Sequence, residues 1–256
     1  MAESTNEQSS MDHLNAYIAT NGSGVLEFWL MLLTVALVSI KYILLPEKPL
    51  DEGADPDMMR KKNLFITVAY ILVIILFVLY TNYTNYETTC GLKKKDLSSQ
   101  AMYYIIMISI FPWLSILGIC FAILNVLPGW KAPFSNTFGY FITMFLLGGQ
   151  HTINKILNIS GTKDDNHAIK MVLQNNFTNL INDYTPDNVE EFRKIGTEIG
   201  SSKLKTKPYS SAEDDYNNIA KLIMLKDFIA EGIWFILMGL FIINVTNNYI
   251  DQNACV

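Results

Sequence analysis

Four long apolar stretches dominate this sequence and limit what the chain can fold into. They cover residues 25–45, 64–81, 102–127 and 228–245, and the second of them contains no charged residue. A membrane-spanning helix needs about 20 mostly apolar residues, because each residue adds about 1.5 Å along a helix that must cross the hydrocarbon core. The sequence therefore predicts an all-α integral membrane helical bundle with four spans.

The ends of these stretches carry features that are typical of membrane boundaries. Pro46 follows the first span and Pro128 follows the third, and proline cannot continue a helix. The second span is preceded by basic residues at 60–62 and followed by aromatic residues within 82–86, a pattern found at headgroup depth. Residues 1–24 and 246–256 are then expected to be polar tails.

A fifth apolar segment, residues 134–149, is harder to place. Its clean apolar core, residues 138–147, is about half as long as a spanning helix needs to be. It could form a short re-entrant or interfacial helix, or an additional crossing if flanking residues extend it. We expect the first, because basic residues collect in short cytoplasmic-type loops. With four spans, 16 of the 19 basic residues lie on one side of the membrane and both termini lie on the other, translocated side; with a fifth crossing the best split leaves 13 together.

Residues 150–227 form the sizeable polar region of the chain, which is too small to have a large core of its own. Apolar residues between 165 and 184 recur at helical spacing and predict an amphipathic helix. Thr185-Pro186 can cap a second, shorter helix, and residues 210–213 read as a capping box for a last helix that continues into the fourth span. The sequence therefore predicts a small helical extramembrane region.

Three polar residues within the spans are candidates for function. Glu231 lies one turn into the last span, where a carboxylate costs several kcal/mol unless it is paired, protonated or near the interface. We interpret it as a solvated acid at headgroup level, with a buried proton relay as the alternative, and we expect Lys41 to extend to the headgroups in the same way. Asn125 and Asn244 lie near helix ends, where an amide often bonds a neighbouring helix, although Asn125 could equally cap its own helix.

Motifs that carry chemistry are missing from the sequence. It contains no His-Glu-x-x-His, no Cys-x-x-Cys, no Gly-rich phosphate loop and no Gly-x-Ser-x-Gly, so we expect no catalytic residue, no cofactor, no metal site and no enzymatic activity. Its net charge of −5 gives no reason to expect nucleic-acid binding. The three cysteines lack the density of a disulfide framework, and a bridge between Cys90 and Cys255 is not expected.

Residues 127–140, LPGWKAPFSNTFGY, resemble a segment of small multispan membrane proteins encoded by large nucleocytoplasmic DNA viruses that enclose a membrane under an icosahedral capsid. The abundance of Asn, Ile and Lys also fits an AT-rich viral genome. The resemblance covers 14 of the 256 residues and brings no catalytic role with it. It implies a protein of the virion inner membrane or of the virus factory, whose polar loops meet capsid proteins or core components.

The same segment has its own physical interpretation. Pro128, Gly129 and Pro133 enforce a turn, and residues 135–137 can cap the short apolar helix that follows. The candidate interaction segment comprises an aromatic patch and one amide: Trp130, Phe134, Asn136, Phe138 and Tyr140. Such a segment could be a docking surface or a plain helical hairpin, with a pore-lining element as a weaker possibility.

The leading functional hypothesis is a structural membrane protein that anchors capsid or scaffold partners to the bilayer through its loops. Its expected partners are the lipid bilayer and other membrane or capsid proteins, and a homo-oligomer is possible. The alternative is a small channel or ion-coupled transporter, in which Pro112, Glu231 and the segment 134–149 line a path. That alternative requires several polar groups at mid-membrane depth, where the sequence supplies almost none.

Overall fold

A computed structural model describes residues 24–47, 49, 55–90, 99–160, 181–186, 188, 191 and 209–253 of the chain. Helices and turns account for most of these residues, and no strand occurs among them. The predicted amphipathic helix at 165–184 lies almost entirely outside the described residues, as does the predicted tail before residue 24. The predicted polar tail after residue 245 is helical as far as Asn253.

Seven α-helices follow one another along the described chain. They are α1 Gly24–Ile43, α2 Pro56–Thr89, α3 Ser99–Pro112, α4 Gly118–Val126, α5 Ala132–Phe134, α6 Gly149–Ser160 and α7 Tyr209–Asn253. Shorter helical turns link some of them: π-turns at Trp113–Leu117, Ser135–Gly139 and Phe141–Leu146, and a 3-10 turn at Pro128–Lys131. The residues between Pro128 and Leu146 are thus helical, although only a few of them follow the α pattern.

Four stretches of helix are long and apolar enough to cross a membrane: Gly24–Ile43, Asp57–Glu87, Ala101–Val126 and Asp214–Ile250. They coincide with the four predicted spans, so the prediction of an all-α, multi-pass membrane bundle is confirmed. The second and fourth are 31 and 37 residues long, well beyond the roughly 20 residues that cross a hydrocarbon core. The predicted spans 64–81 and 228–245 were therefore the apolar centres of longer helices.

Helix α7 is a single helix of 45 residues. The prediction that the last extramembrane helix continues into the fourth span is confirmed, and the helix begins within a residue of the predicted capping box. At about 1.5 Å per residue it measures about 68 Å, more than twice the thickness of a hydrocarbon core.

Pro112 changes the backbone pattern of the third span. The sequence predicts a kink at this proline, and a π-turn, Trp113–Leu117, follows it directly. Proline lacks the N–H that would bond the carbonyl four residues earlier, which loosens the α pattern and favours such a wider turn. Within this irregular stretch the Ser115 hydroxyl donates to the Phe111 carbonyl at 2.6 Å.

The chain divides into two compact units. The first contains Met1–Leu37, Leu64–Val126 and Trp234–Val256, and the second contains Val38–Asn63 and Leu127–Ile233. Helix α7 contributes residues to both.

The first unit has an apolar core with a few internal polar contacts. The rings of Tyr70 and Phe235 stack with centroids 5.7 Å apart, and the Tyr70 and Thr34 hydroxyl oxygens are 2.7 Å apart. The Asn82 amide donates to the Ser109 hydroxyl at 3.0 Å, with both residues buried. Buried members of the core include Leu26, Leu30, Leu37, Ile74, Val78, Trp113, Leu117, Ile242 and Ile243.

The cysteines of this unit differ from the sequence expectation in one respect. Cys90, at the end of α2, is disulfide-bonded, whereas Cys120 is a free, buried thiol. Cys255 lies outside the described residues. A disulfide at Cys90 was not expected from the sequence, where only a bridge to Cys255 was considered and judged improbable.

The second unit has a core built around the first half of α7. Side chains from the loop after α1, from residues 128–160 and from the segment at 181–184 pack against it. The buried members are Leu45, Met144, Ile153, Ile181, Tyr184, Tyr216, Ile219, Ala220, Leu222, Ile223, Met224 and Phe228. This core positions the charged residues described below.

Close helix packing in the first unit depends on Gly239. A Cβ atom added to Gly239 would lie 2.6 Å from Cδ2 and 2.9 Å from Cδ1 of Leu30, a buried side chain with little room to move. We predict that Gly239→Ala lowers the free energy of unfolding by about 1–3 kcal/mol, as overpacking does elsewhere. Thermal unfolding in detergent measures the effect.

Gly118→Ala is the matched control for this substitution. Gly118 is also helical, but its surroundings are open: no atom lies within 4 Å of a Cβ added there. Both substitutions add one methyl group and raise helix propensity equally. Equal melting temperatures for the two variants would show that the packing around Leu30 does not require a glycine at position 239.

Candidate functional site: a buried charge cluster

Charged side chains meet inside the second unit, where α7 faces the end of α1. The Lys41 Nζ lies 2.8 Å from both carboxylate oxygens of Glu231 and donates to each. Only 3% of the Lys41 side chain and 8% of the Glu231 side chain are exposed. The pair is therefore shielded by the rest of the unit.

An aromatic ring completes the surroundings of Lys41. Its Nζ lies 5.5 Å from the ring centroid of Phe228, which is three residues before Glu231 on the same face of α7. A cation over a ring face is attracted by the quadrupole of the ring, and the attraction is stronger away from water. The ammonium group thus has both a carboxylate and an aromatic partner.

A second ion pair lies one turn earlier on α7. The Lys131 Nζ lies 2.7 Å from the Asp227 Oδ2, and 14% of each side chain is exposed. Asp227 and Glu231 are four residues apart and share one face of the helix. The two pairs interact, since Asp227 attracts Lys41 and Lys131 repels it. Two lysines from separate elements thus neutralise two carboxylates on one helix.

Lys226 forms a third connection from the same part of α7. Its side chain is almost fully buried, and its Nζ donates to the Ile181 carbonyl at 2.9 Å and to the Asn136 Oδ1 at 3.3 Å. This lysine therefore ties α7 to the π-turn at 135–139 and to the segment at 181.

The segment at 181–188 is held by a local turn as well. The Thr185 N–H donates to the Asn188 Oδ1 at 2.6 Å, as at the start of a capped helix. Tyr184 is buried beside it, and burial raises the pKa of its phenol, with further contributions from the carboxylates of Glu191 and Asp183. The phenol is consequently neutral at physiological pH.

Residues 131–155 run antiparallel to α7. Lys131 pairs with Asp227, Gly139 contacts Lys226, Gly149 contacts Leu222, and the Lys155 Nζ lies 2.8 Å from the Asp215 Oδ2. In these four contacts the residue numbers rise along the segment 131–155 while the numbers of their partners on α7 fall.

Gly139 permits the closest part of this contact. A Cβ added there would lie 2.7 Å from the backbone oxygen of Lys226 and 2.8 Å from its Cγ.

Two predicted charged residues differ from their expected setting. Glu231 was expected to be a solvated acid and Lys41 to extend to the headgroups, but each is buried against the other. The sequence suggests neither partner, because the two residues are 190 positions apart and lie in different spans. One signal in the sequence could have suggested the pair: Lys41 and Glu231 are opposite charges that each lie near one end of a span.

The two predicted amides bond within their own helices. The Asn125 Nδ2 donates to the Phe121 carbonyl at 2.8 Å, and the Asn244 Nδ2 donates to the Leu240 carbonyl at 2.9 Å, with both residues exposed. An amide that does bond a neighbouring helix within the first unit is Asn82, through Ser109. Sequence reasoning had placed Asn82 in the aromatic belt, although a small hydroxyl residue in the next span is a known partner for such an amide.

The candidate interaction segment divides into two faces. Trp130 and Phe138 are largely exposed, and Phe134 is half-buried with its ring centroid 6.5 Å from that of Phe138. Tyr140 packs against the core of the second unit, and Asn136 accepts from Lys226. Trp130, Phe134 and Phe138 therefore remain candidates for contact outside the chain, whereas Asn136 and Tyr140 hold the segment in place.

Removing one member of the Lys41–Glu231 pair should cost far more than removing both. We predict that Lys41→Met or Glu231→Met alone lowers the free energy of unfolding by about 3–5 kcal/mol, because a buried charge loses its partner. The double variant should recover most of that loss. Unfolding in mixed micelles measures all three variants.

Lys155→Met is the control for the pair substitutions. The Asp215 side chain is 9% exposed, close to the 8% of Glu231, but half of the Lys155 side chain is exposed. Water can take the place of an exposed partner, so we expect Lys155→Met to cost less than either single variant at 41 or 231. If the two single variants at 41 and 231 are no less stable than Lys155→Met, the pair does not hold the unit together.

Gly139→Ala should disturb the contact between residues 131–155 and α7. The added methyl group meets a backbone oxygen that cannot rotate away, so we predict faster proteolysis within residues 128–160 and a lower melting temperature. Gly129→Ala is the control, since nothing lies within 4 Å of a Cβ there. Equal protease resistance in both variants would contradict the close contact.

The cluster can hold elements together, because two carboxylates of α7 are paired with lysines from other segments and Lys226 bonds two further segments. Among the residues that the structure describes, no group of three or more His, Cys, Asp or Glu side chains is placed to hold a metal ion. No protein-family model matches the chain, and no curated protein or solved structure is significantly similar to it.

Proposed function

We propose that the chain is a structural membrane protein without enzymatic activity, which anchors partner proteins to the bilayer through its loops. The observation that carries this proposal is the pairing of the buried charges. Lys41 with Glu231 and Lys131 with Asp227 form two neutral pairs that join separate segments to α7. Such an arrangement stabilises a scaffold, because each charge is already committed to a partner in the chain.

The setting that we propose is the inner membrane of a virion. Its support is the resemblance of residues 127–140 to small multispan proteins of large DNA viruses. The partners would then be capsid or scaffold proteins, and the polar region 150–227 is the part that would meet them. Its described members include the exposed residues His151 and Asp214.

Two features support one orientation of the chain across the bilayer. Basic residues at 60–62 lie near the start of α2, and the disulfide-bonded Cys90 follows its end. Basic residues favour the cytoplasmic side, and disulfides persist in oxidising compartments. We therefore place the end of α2 at Cys90 on the translocated side.

Site-specific photo-crosslinking tests the anchoring role. We expect a photoreactive residue at His151 or Asp214, in the full chain within its native membrane, to give discrete adducts with capsid or scaffold proteins. The same residue at Phe241, an exposed apolar position in the fourth span, is the control and should give no such adduct. Adducts restricted to other copies of this chain would overturn the proposed partners.

The alternative function, a small channel or ion-coupled transporter, is favoured by one observation: ionisable residues such as Lys41 and Glu231 occur within candidate spans. Their mutual pairing favours the structural function instead. Ion flux into liposomes that contain the purified chain separates the two. The structural proposal predicts no flux above that of empty liposomes, and a flux that Lys41→Met alters would establish the alternative.

A further inference from the structure

Residues 128–147 bury several small and polar side chains together with Met144, and they turn most of their large apolar side chains outward. Ser135, Gly139 and Thr143 are buried against the rest of the second unit. The outward residues are each between 51% and 66% exposed: Phe138, Phe141, Phe145, Leu146 and Leu147. A segment that faces water shows the opposite distribution, because its large apolar side chains drive burial.

The inward side of this segment is occupied by α7. Gly139 lies against the backbone of Lys226, and Lys131 is paired with Asp227. The outward row is therefore not a poorly packed core face that could simply rotate inward. Small residues at a helix contact, with large apolar residues pointing away from it, are typical of helices packed within a bilayer.

Both threonine hydroxyls of the segment bond to carbonyl oxygens of the chain itself. No charged residue occurs between positions 132 and 150. The Thr137 hydroxyl donates to the Pro133 carbonyl at 2.6 Å, and the Thr143 hydroxyl donates to the Gly139 carbonyl at 2.8 Å. Internal bonding of this kind is what a hydrocarbon environment demands.

We propose that the outward face formed by Phe138, Phe141, Phe145 and Leu146 contacts lipid acyl chains. The segment is then embedded in the bilayer in addition to the four spans, as a re-entrant element. In water, leaving such side chains this exposed forfeits much of the hydrophobic stabilisation that their burial would provide. A protein partner is the less suitable occupant, because protein interfaces combine an apolar centre with a polar rim, and the segment that carries this row has no charged residue between positions 132 and 150.

Lipid is favoured by sequence continuity as well. The segment follows the span Ala101–Val126 after a single residue, and the residues at that junction, Val126 and Leu127, are themselves exposed and apolar. The inference concerns the membrane and not the partner proteins, so it can fail while the anchoring role stands.

Spin labelling of the full chain in phosphatidylcholine liposomes tests this contact. The variants are Phe141→Cys and Phe145→Cys in a Cys120→Ser background, which removes the free thiol and keeps the disulfide of Cys90. Oxygen concentrates in hydrocarbon, whereas a neutral nickel chelate stays in water. We expect labels at 141 and 145 to collide several-fold more often with oxygen than with the chelate.

Two exposed positions calibrate the measurement. Phe241→Cys, in the fourth span, should behave as the lipid-facing labels do, and Gln150→Cys, an exposed polar position, should show the reverse preference. Chelate access at 141 and 145 equal to that at 150 would overturn the proposal in favour of a water-facing surface. Shielding from both reagents would overturn it in favour of a protein cover, such as a second copy.

Discussion

The absence of water inside a bilayer is the constraint on which the rest of this structure depends. Every backbone polar group must find its partner in the chain, so the spans are helices, and a side-chain charge needs a partner as well. The chain meets the second demand by pairing Lys41 with Glu231 and Lys131 with Asp227. Both carboxylates come from one face of α7, so the segments that carry Lys41 and Lys131 must pack against this helix.

Sequence reasoning succeeded where the signal was local. An uninterrupted apolar stretch of span length indicates a helix whatever it packs against, so the four spans could be predicted. The capping box at 210–213 similarly foretold a helix that runs into the last span. Pro112 was enough to locate an irregularity, although not to distinguish a kink from the π-turn that follows it.

The candidate site could not be predicted in the same way, because its contacts join distant positions. In the sequence, Lys41 and Glu231 are each a charged residue near a membrane boundary. Lipid headgroups or another charged residue can neutralise such a charge equally well, so the sequence does not choose between them. Asn82 and Ser109 present the same problem at shorter range, since neither residue type demands a partner by itself. The sequence shows that residue 139 is a glycine, but it does not show why. The structure does, because a side chain at this position would collide with the backbone of Lys226.

The 190 positions between Lys41 and Glu231 have a consequence for how the chain is made. At synthesis rates of about 5–20 residues per second, Glu231 emerges about 10–40 s after Lys41. During that interval α1 is inserted with an ammonium group that lacks its final carboxylate, so headgroups, water or the insertion machinery must accommodate it. The last helix therefore completes the charge balance of the first, and a chain truncated before α7 would retain the Lys41 ammonium without its carboxylate partner.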